Sequence, residues 1–163
     1  MNLPNSQNSE GFTLMEIMLV LVIVSILAAI SAPSLLGMYN RGELNNSVIQ
    51  LRGALEEAQR QAIRRSQGCS ITINTASKII TSANGCLLSN RQLSSKLTTI
   101  NTGGSSTISF DFNGNVTLTG TPTPGHQTIQ LSVEGVNDIK CVKIFAPLGL
   151  AKTGNISGSS CVP

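Results

Sequence analysis

The side chains that could do chemistry in this chain are few and far apart. The single histidine, His126, follows a Pro/Gly-rich loop, so a serine or cysteine nucleophile has only this one imidazole to serve as its base. The acids Asp111, Glu134 and Asp138 are too dispersed to predict a calcium site. Neither the Cys-x-x-Cys spacing of a zinc site nor a glycine-rich nucleotide loop occurs. The sequence therefore predicts a protein that is not an enzyme and that holds no metal or cofactor.

One carboxylate has an unusual position, because Glu16 is the fifth residue of a long apolar run. From Phe12 to Ala32, 17 of 21 residues are apolar, and no polar face is left. A helix of 21 residues is about 32 Å long, which matches a bilayer core of about 30 Å. A carboxylate inside such a segment costs about 2.5–3.5 kcal/mol on insertion scales. The segment is predicted to span a membrane or to pack in an equally dry interior, and Glu16 needs a partner there.

Two ordinary explanations compete for this segment. A cleaved secretory signal would use the small residues near the end of the run, but the leader, residues 1–11, has no Lys or Arg. The run also exceeds the usual signal core, and Pro33 would follow the cut. A plain membrane anchor explains the length of the apolar run. It explains Glu16 only if this carboxylate lies at the helix end and reaches back to the membrane interface. A third interpretation is cleavage after Gly11, which would free an α-amino group on Phe12 to pair with Glu16 of a neighbouring subunit.

The hexapeptide Gly-Phe-Thr-Leu-Met-Glu at residues 11–16, followed by the aliphatic run, resembles the N-terminus of type IV pilins and pseudopilins. The resemblance implies that a membrane aspartyl (prepilin) peptidase cuts after Gly11 and methylates the new N-terminal Phe12. It implies assembly pairing for Glu16 and a helix-kinking role for Pro33. Pro33 also lacks a backbone donor and disfavours helix at the residue before it, so a kink or local unwinding is expected there.

Residues 35–66 are predicted to continue as an amphipathic helix. Spacings of three and four residues put one apolar stripe on a single face: Leu44, Val48, Leu51, Leu55, Ala58 and Ala62. The opposite face carries the charged residues Glu56, Glu57, Arg60, Arg64 and Arg65, and helix capping and solvation explain the three arginines better than a phosphate contact. Glu56 and Arg60 have the i,i+4 spacing of an ion pair. Arg64 and Arg65 suit the negative end of the helix dipole, and Gly68 is a plausible stop.

The composition changes in residues 67–163, which are rich in Ser, Thr, Gly and Asn and contain short segments of alternating apolar and polar residues. Predicted strands and hairpins, including an Asn-Gly turn at residues 113–114, cover these stretches: 69–73, 78–82, 107–112, 116–118, 129–133 and 142–144. In 107–112, the side chains of Ile108, Phe110 and Phe112 are expected on one face. A loop is predicted over 120–125. The fold class is therefore α+β: a long helix whose second half packs on an antiparallel β domain.

Four cysteines indicate an oxidising compartment and allow three pairings. We favour two disulfide bonds. Cys69–Cys86 would cross-link the first hairpin, and Cys141–Cys161 would attach the C-terminal tail to the β domain. Each loop is expected to gain about 3 kcal/mol under the chain-entropy model. With only five aromatic residues in the chain, the domain is expected to depend on both bonds.

The helix end from Leu51 to Arg65 and the later strand stretches also resemble the H-type minor pseudopilins and related type IV minor pilins. This resemblance implies a structural subunit of a type IV pilus or related filament, with a role in pilus assembly or priming. Its partners would be other pilin subunits, the prepilin peptidase, an inner-membrane assembly platform and, before assembly, the bilayer. The N-terminus would be cytoplasmic and the C-terminal domain periplasmic, and after assembly the subunit would lie in a surface pilus or periplasmic pseudopilus. Alternatives are a type II secretion pseudopilus subunit, a DNA-uptake (competence) minor pilin and a simple anchored or secreted protein.

DNA binding rests on a modest charge excess. The net charge of +3 is too small to argue for nucleic acid, but residues 67–163 carry six Lys/Arg against three acids. Lys140, Lys143 and Lys152 are the candidate DNA contacts. Some minor pilins of the subfamily that this chain resembles bind DNA through a basic C-terminal motif, whereas the C-terminal tail here carries no Arg.

Overall fold

The computed structural model describes residues 11–118, 125–158 and 160–163. One helix, α1, runs from Leu14 to Arg65 over 52 residues. The chain divides into two compact units between Leu36 and Gly37. The leader before Gly11 lies outside the described residues.

The helix stays continuous through Pro33. The local unwinding expected there is not seen in the backbone, and a bend at this residue stays a prediction. At its far end the helix stops within one residue of the predicted position, where Ser66 has a φ of +50°. A left-handed residue of this kind commonly ends a helix.

Ten β-strands follow in the part of the chain that the structure describes. Their bounds are β1 Cys69–Asn74, β2 Ile79–Ser82, β3 Arg91–Gln92, β4 Leu97–Asn101, β5 Thr107–Phe110, β6 Val116–Thr117, β7 His126–Val133, β8 Lys140–Phe145, β9 Leu150–Ser157 and β10 Ser160–Val162. They form two five-stranded antiparallel sheets, ordered β3-β2-β1-β5-β6 and β10-β9-β8-β7-β4. The α+β class with a long N-terminal helix is confirmed.

The apolar stripe of the helix forms the centre of the core. All six stripe residues are buried, and they meet inward-facing residues of both sheets: Ile71, Ile80, Ile108, Ile129, Leu131, Val142 and Ile144. Between the strands, the buried amide of Gln127 donates to the carbonyls of Thr102 and Ser105 at 2.7 and 2.8 Å, which holds the β4–β5 loop against the core. The structure also joins Cys69 to Cys86 and Cys141 to Cys161, the pairing favoured from the sequence.

Two sequence expectations about the strands were wrong. The strand predicted over residues 107–112 ends at Phe110, and Phe112 is 59% exposed instead of sharing the face of Ile108 and Phe110. The reason is Asp111, whose carboxylate accepts hydrogen bonds from the backbone N–H groups of Asn113 and Asn115 at 2.9 and 2.8 Å. This Asx-type turn begins one residue earlier than the Asn-Gly pair indicated. The strand predicted from residue 78 begins at Ile79, because Lys78 has a φ of +56° and belongs to the turn.

Strands β3, β4, β9 and β10 were not predicted from the sequence. β3 has only two residues, and β4 carries a register shift between Leu97 and Thr99. The predicted loop over residues 120–125 lies outside the described residues except for Gly125.

Candidate functional site

The N-terminal site starts with three residues, Gly11 to Thr13, that precede the helix. Thr13 caps the helix: its hydroxyl accepts a hydrogen bond from the N–H of Glu16 at 3.3 Å, and its carbonyl accepts from the N–H of Ile17 at 3.2 Å. Threonine followed by glutamate three residues later is the spacing of a capping box. No role was predicted for Thr13 from the sequence, although this spacing was a readable signal. The cap fixes where the helix begins and therefore places Glu16 in its first turn.

The helix that follows presents an apolar surface on every side. The large apolar side chains described between Phe12 and Ile30 are all at least 47% exposed. By length and composition this helix could cross a membrane, with a mean hydropathy of 2.7 over its most apolar window. Glu16 is the acidic residue of its first turn, where the helix dipole favours a negative charge. The dipole offsets only part of the cost of a carboxylate in an apolar environment, so a counter-ion would still stabilise Glu16.

Comparison with protein families and solved structures bears directly on this site. Residues 6–32 match the family model for the prokaryotic N-terminal methylation motif. The fold is similar to the crystal structure of the type IV minor pilin FimU from Pseudomonas aeruginosa strain PAO1. The two share 17% sequence identity with a TM-score of 0.54, over 75% of this chain and 94% of that one. No curated protein sequence matches significantly. At 17% identity the structural likeness concerns the fold, and the methylation motif adds the N-terminal signature.

The chain therefore carries the prokaryotic N-terminal methylation motif at residues 6–32 and has a fold similar to that of a type IV minor pilin. All four cysteines are disulfide-bonded, and His126 lies beside the ring of Phe145 at a centroid distance of 6.3 Å. In the described ranges, no group of three or more His, Cys, Asp or Glu side chains could hold a metal ion.

The three lysines predicted as candidate DNA contacts do not share one face of the C-terminal domain. Lys143 and Lys152 are directly opposite each other on β8 and β9. Lys140, an odd number of residues from Lys143 on the same strand, lies on the other face, where it lines an open groove beside α1 and donates to Asn155 at 2.6 Å. The structure therefore brings together two of the three cations.

One charged residue from the helix face opposite the apolar stripe is buried. Glu57 is only 8% exposed, and its carboxylate accepts a hydrogen bond from the Arg91 guanidinium at 2.6 Å and another from the N–H of Leu88 at 2.9 Å. Arg91 also donates to Gln50, two helical turns earlier, at 3.1 Å. We call these four residues the Glu57 cluster. It ties the β2–β3 loop to α1, whereas the adjacent Glu56 pairs with Arg52 and Arg60 on the exposed side.

The Glu57 cluster predicts a loss of stability in acid. Burial alone would raise the pKa of Glu57, but the Leu88 N–H and the Arg91 guanidinium outweigh it and hold the pKa below its usual value of 4.5. A lowered folded-state pKa adds stability above the unfolded-state pKa and loses it as the pH falls through the folded-state value. We expect the free energy of unfolding to decrease below about pH 4.5, and Glu57→Gln to flatten part of this decrease. Chemical denaturation across pH 2.5 to 7 would measure it, and an unchanged pH profile in Glu57→Gln would contradict the assignment.

Proposed function

We propose that this protein is a type IV pilin: a minor subunit of a type IV pilus, made as a prepilin and assembled from the inner membrane. The apolar helix holds the precursor in the bilayer, with the N-terminus in the cytoplasm and the C-terminal domain in the periplasm. Prepilin peptidase cuts after Gly11 and methylates Phe12. An inner-membrane assembly platform then transfers the subunit into the filament, where other pilin subunits replace lipid around the helix.

The observation that carries this proposal is the position of Glu16 within the matched methylation motif. It is a first-turn carboxylate on a helix whose large apolar side chains are exposed over its first half. Inside a bilayer this carboxylate is costly, and a neighbouring subunit's Phe12 amine would neutralise it at assembly. Removing lipid contact and pairing the two charges in one step would make filament entry favourable.

Gly11 supports the processing step through its surroundings. It is exposed and precedes the helix, and a Cβ added there would have no heavy atom of the described residues within 4 Å. The fold therefore places no steric demand on glycine at this position. A requirement for glycine would come from the close approach of a peptidase to the backbone, for which an exposed segment before the helix is suitable.

The remaining alternatives receive less support. FimU is a type IV minor pilin, which favours a pilus over a type II secretion pseudopilus. Deleting the gene and then measuring both piliation and exoprotein secretion would distinguish these functions. Loss of pili would indicate a pilus subunit, and loss of secretion would indicate a pseudopilus subunit. The DNA-uptake alternative loses support because only Lys143 and Lys152 share a face, and two cations release few counter-ions from DNA.

The decisive experiment is the N-terminus of the mature chain. We expect mass spectrometry of the native protein to show a chain that begins at Phe12 and carries one added methyl group. A strain lacking the prepilin peptidase should retain the full leader, which provides the control. A mature chain that begins near Pro33 would indicate an ordinary signal peptide, and a native chain that keeps Met1 would indicate a simple anchored protein; either result overturns the proposal.

A further inference from the structure

The second sheet carries a pair of like charges that no acid among the described residues neutralises. Lys143 and Lys152 are directly opposite each other on β8 and β9, and Thr128 of β7 lies opposite Lys143 on its other side. Like charges in direct cross-strand positions are destabilising. The next row consists of His126, Phe145 and Leu150, so that neither row contains an acid. An unbalanced pair of this kind suits an external anionic group.

Aromatic and aliphatic side chains adjoin the two lysines. The Lys143 ammonium lies 5.3 Å from the centre of the Phe145 ring, within the range of a cation–π contact. Leu150, opposite Phe145, is 48% exposed, and Leu148 in the β8–β9 turn is 70% exposed. The apolar surface therefore continues from the lysine pair to the tip of this turn.

A second turn meets this one at the same end of the domain. The Gln59 amide donates to the carbonyls of both Gly114 and Leu148, at 2.9 and 2.8 Å, which fastens the β5–β6 turn beside the β8–β9 turn. The β5–β6 turn presents the exposed ring of Phe112. We call this surface the basic–apolar rim, defined by Phe112, Lys143, Phe145, Leu148, Leu150 and Lys152.

The acid of the β5–β6 turn, beside Phe112, is engaged within its own turn. Asp111 accepts hydrogen bonds from the backbone of Asn113 and Asn115, and its second oxygen accepts from the Asn115 side chain at 3.1 Å. These bonds commit the carboxylate to local backbone and amide donors. The six rim residues therefore combine two cations with exposed apolar side chains and include no carboxylate that would repel an anion.

We propose that the basic–apolar rim docks onto an anionic lipid surface. Cations beside exposed aromatic and aliphatic groups are the combination by which peripheral proteins bind such surfaces: the cations attract the headgroup phosphates, and the apolar tips enter the interface. Nucleic acid binding would use the lysines but gives no role to Leu148 and Leu150. A protein partner would use the leucines, but charge-depleted interface cores do not favour an opposed lysine pair. This surface lies within the C-terminal domain and does not depend on filament entry.

The test uses the full chain held in neutral phosphatidylcholine nanodiscs, mixed with separate vesicles. We expect co-flotation with vesicles that contain phosphatidylglycerol and none with pure phosphatidylcholine vesicles. Because each lysine near an anionic surface contributes about a fivefold gain, the K143Q/K152Q pair should weaken binding about 30-fold. Added salt should weaken binding as well. Leu148→Ser should weaken it about tenfold by removing an apolar tip.

The matched control is the K78Q/K96Q pair, which removes the same charge from another part of the domain, where Lys78 donates to the carbonyl of Ser95. We expect it to change binding by less than about twofold. Equal losses in both pairs would show a net-charge effect and overturn the proposal. Equal binding to both vesicle types would overturn it too, as would binding of a single-stranded oligonucleotide without binding of vesicles. Normal filament entry of K143Q/K152Q, measured separately, keeps this result distinct from the pilin function.

Discussion

Glu16→Ala is expected to exclude the subunit from filaments while leaving its C-terminal domain folded. The substitution lowers the cost of the membrane state by about 2.5–3.5 kcal/mol, because a carboxylate no longer lies in the apolar run. It also leaves a neighbouring subunit's Phe12 amine without a counter-charge in the filament, which costs a further 3 kcal/mol or so. Both effects favour the membrane, so incorporation should fall by on the order of 100-fold or more. The measurement is the ratio of this chain in sheared filaments to that in membranes.

A matched control is available on the same helix. Glu43→Ala also removes one acid from α1, but from the C-terminal unit outside the apolar run. We expect this variant to enter filaments normally. Intact incorporation of Glu16→Ala would refute the charge-pairing role, even if the N-terminus of the mature chain proves to be Phe12. The far-ultraviolet circular dichroism of both variants should match that of the parent, since the core lies in the C-terminal unit.

Glu57→Ala is expected to be the most destabilising single charge removal in the C-terminal domain. It deletes the acceptor for the Leu88 N–H and leaves the Arg91 guanidinium without its anion. Breaking a fully buried pair costs about 3–5 kcal/mol, and the one-third exposure of the Arg91 side chain reduces this to about 2–3 kcal/mol. Chemical denaturation with both disulfides intact would measure the change, and amide hydrogen exchange at Leu88 should accelerate.

Glu56→Ala provides the control one residue away. Glu56 forms two i,i+4 pairs, with Arg52 at 2.7 Å and Arg60 at 3.8 Å, but these pairs lie on the exposed side of the helix. Exposed pairs of this kind contribute about 0.3–0.5 kcal/mol each. Equal destabilisation by both substitutions would contradict the buried role of Glu57. In a double variant, Glu57→Ala with Arg91→Ala should recover part of the loss, because no uncompensated charge is left behind.

The elements that the sequence predicted well are those specified by local patterns. The apolar run after Phe12, the stripe from Leu44 to Ala62 and the Asn-Gly turn each depend on residues close together in the chain. A helix face repeats every three to four residues, and a tight turn needs a glycine at a fixed place, such as Gly114 with its φ of +83°. The methylation motif is likewise contiguous, which is why the N-terminal site could be proposed from the sequence alone.

The elements that were missed depend on contacts between distant residues. Strand β3 has two residues and exists because it pairs with β2, while β10 is held beside β9 and bonded to β8 through Cys141–Cys161. Segments of two or three residues are too short to show the alternation of apolar and polar residues that predicts a strand. Pairing supplied by the rest of the sheet decides their conformation.

The sequence by itself determined the long helix, its two chemically different halves, the acid at its start and the β-rich domain that follows. Those features depend on composition and on short periodicities, which act before the chain is compact. Only the tertiary structure decided that Glu57 is buried while Glu56 is not, that Lys143 and Lys152 are directly opposite each other, and that two turns join into one rim. The physical reason is that burial, charge pairing and surface continuity are set by which distant segments pack side by side, and no local pattern encodes that choice.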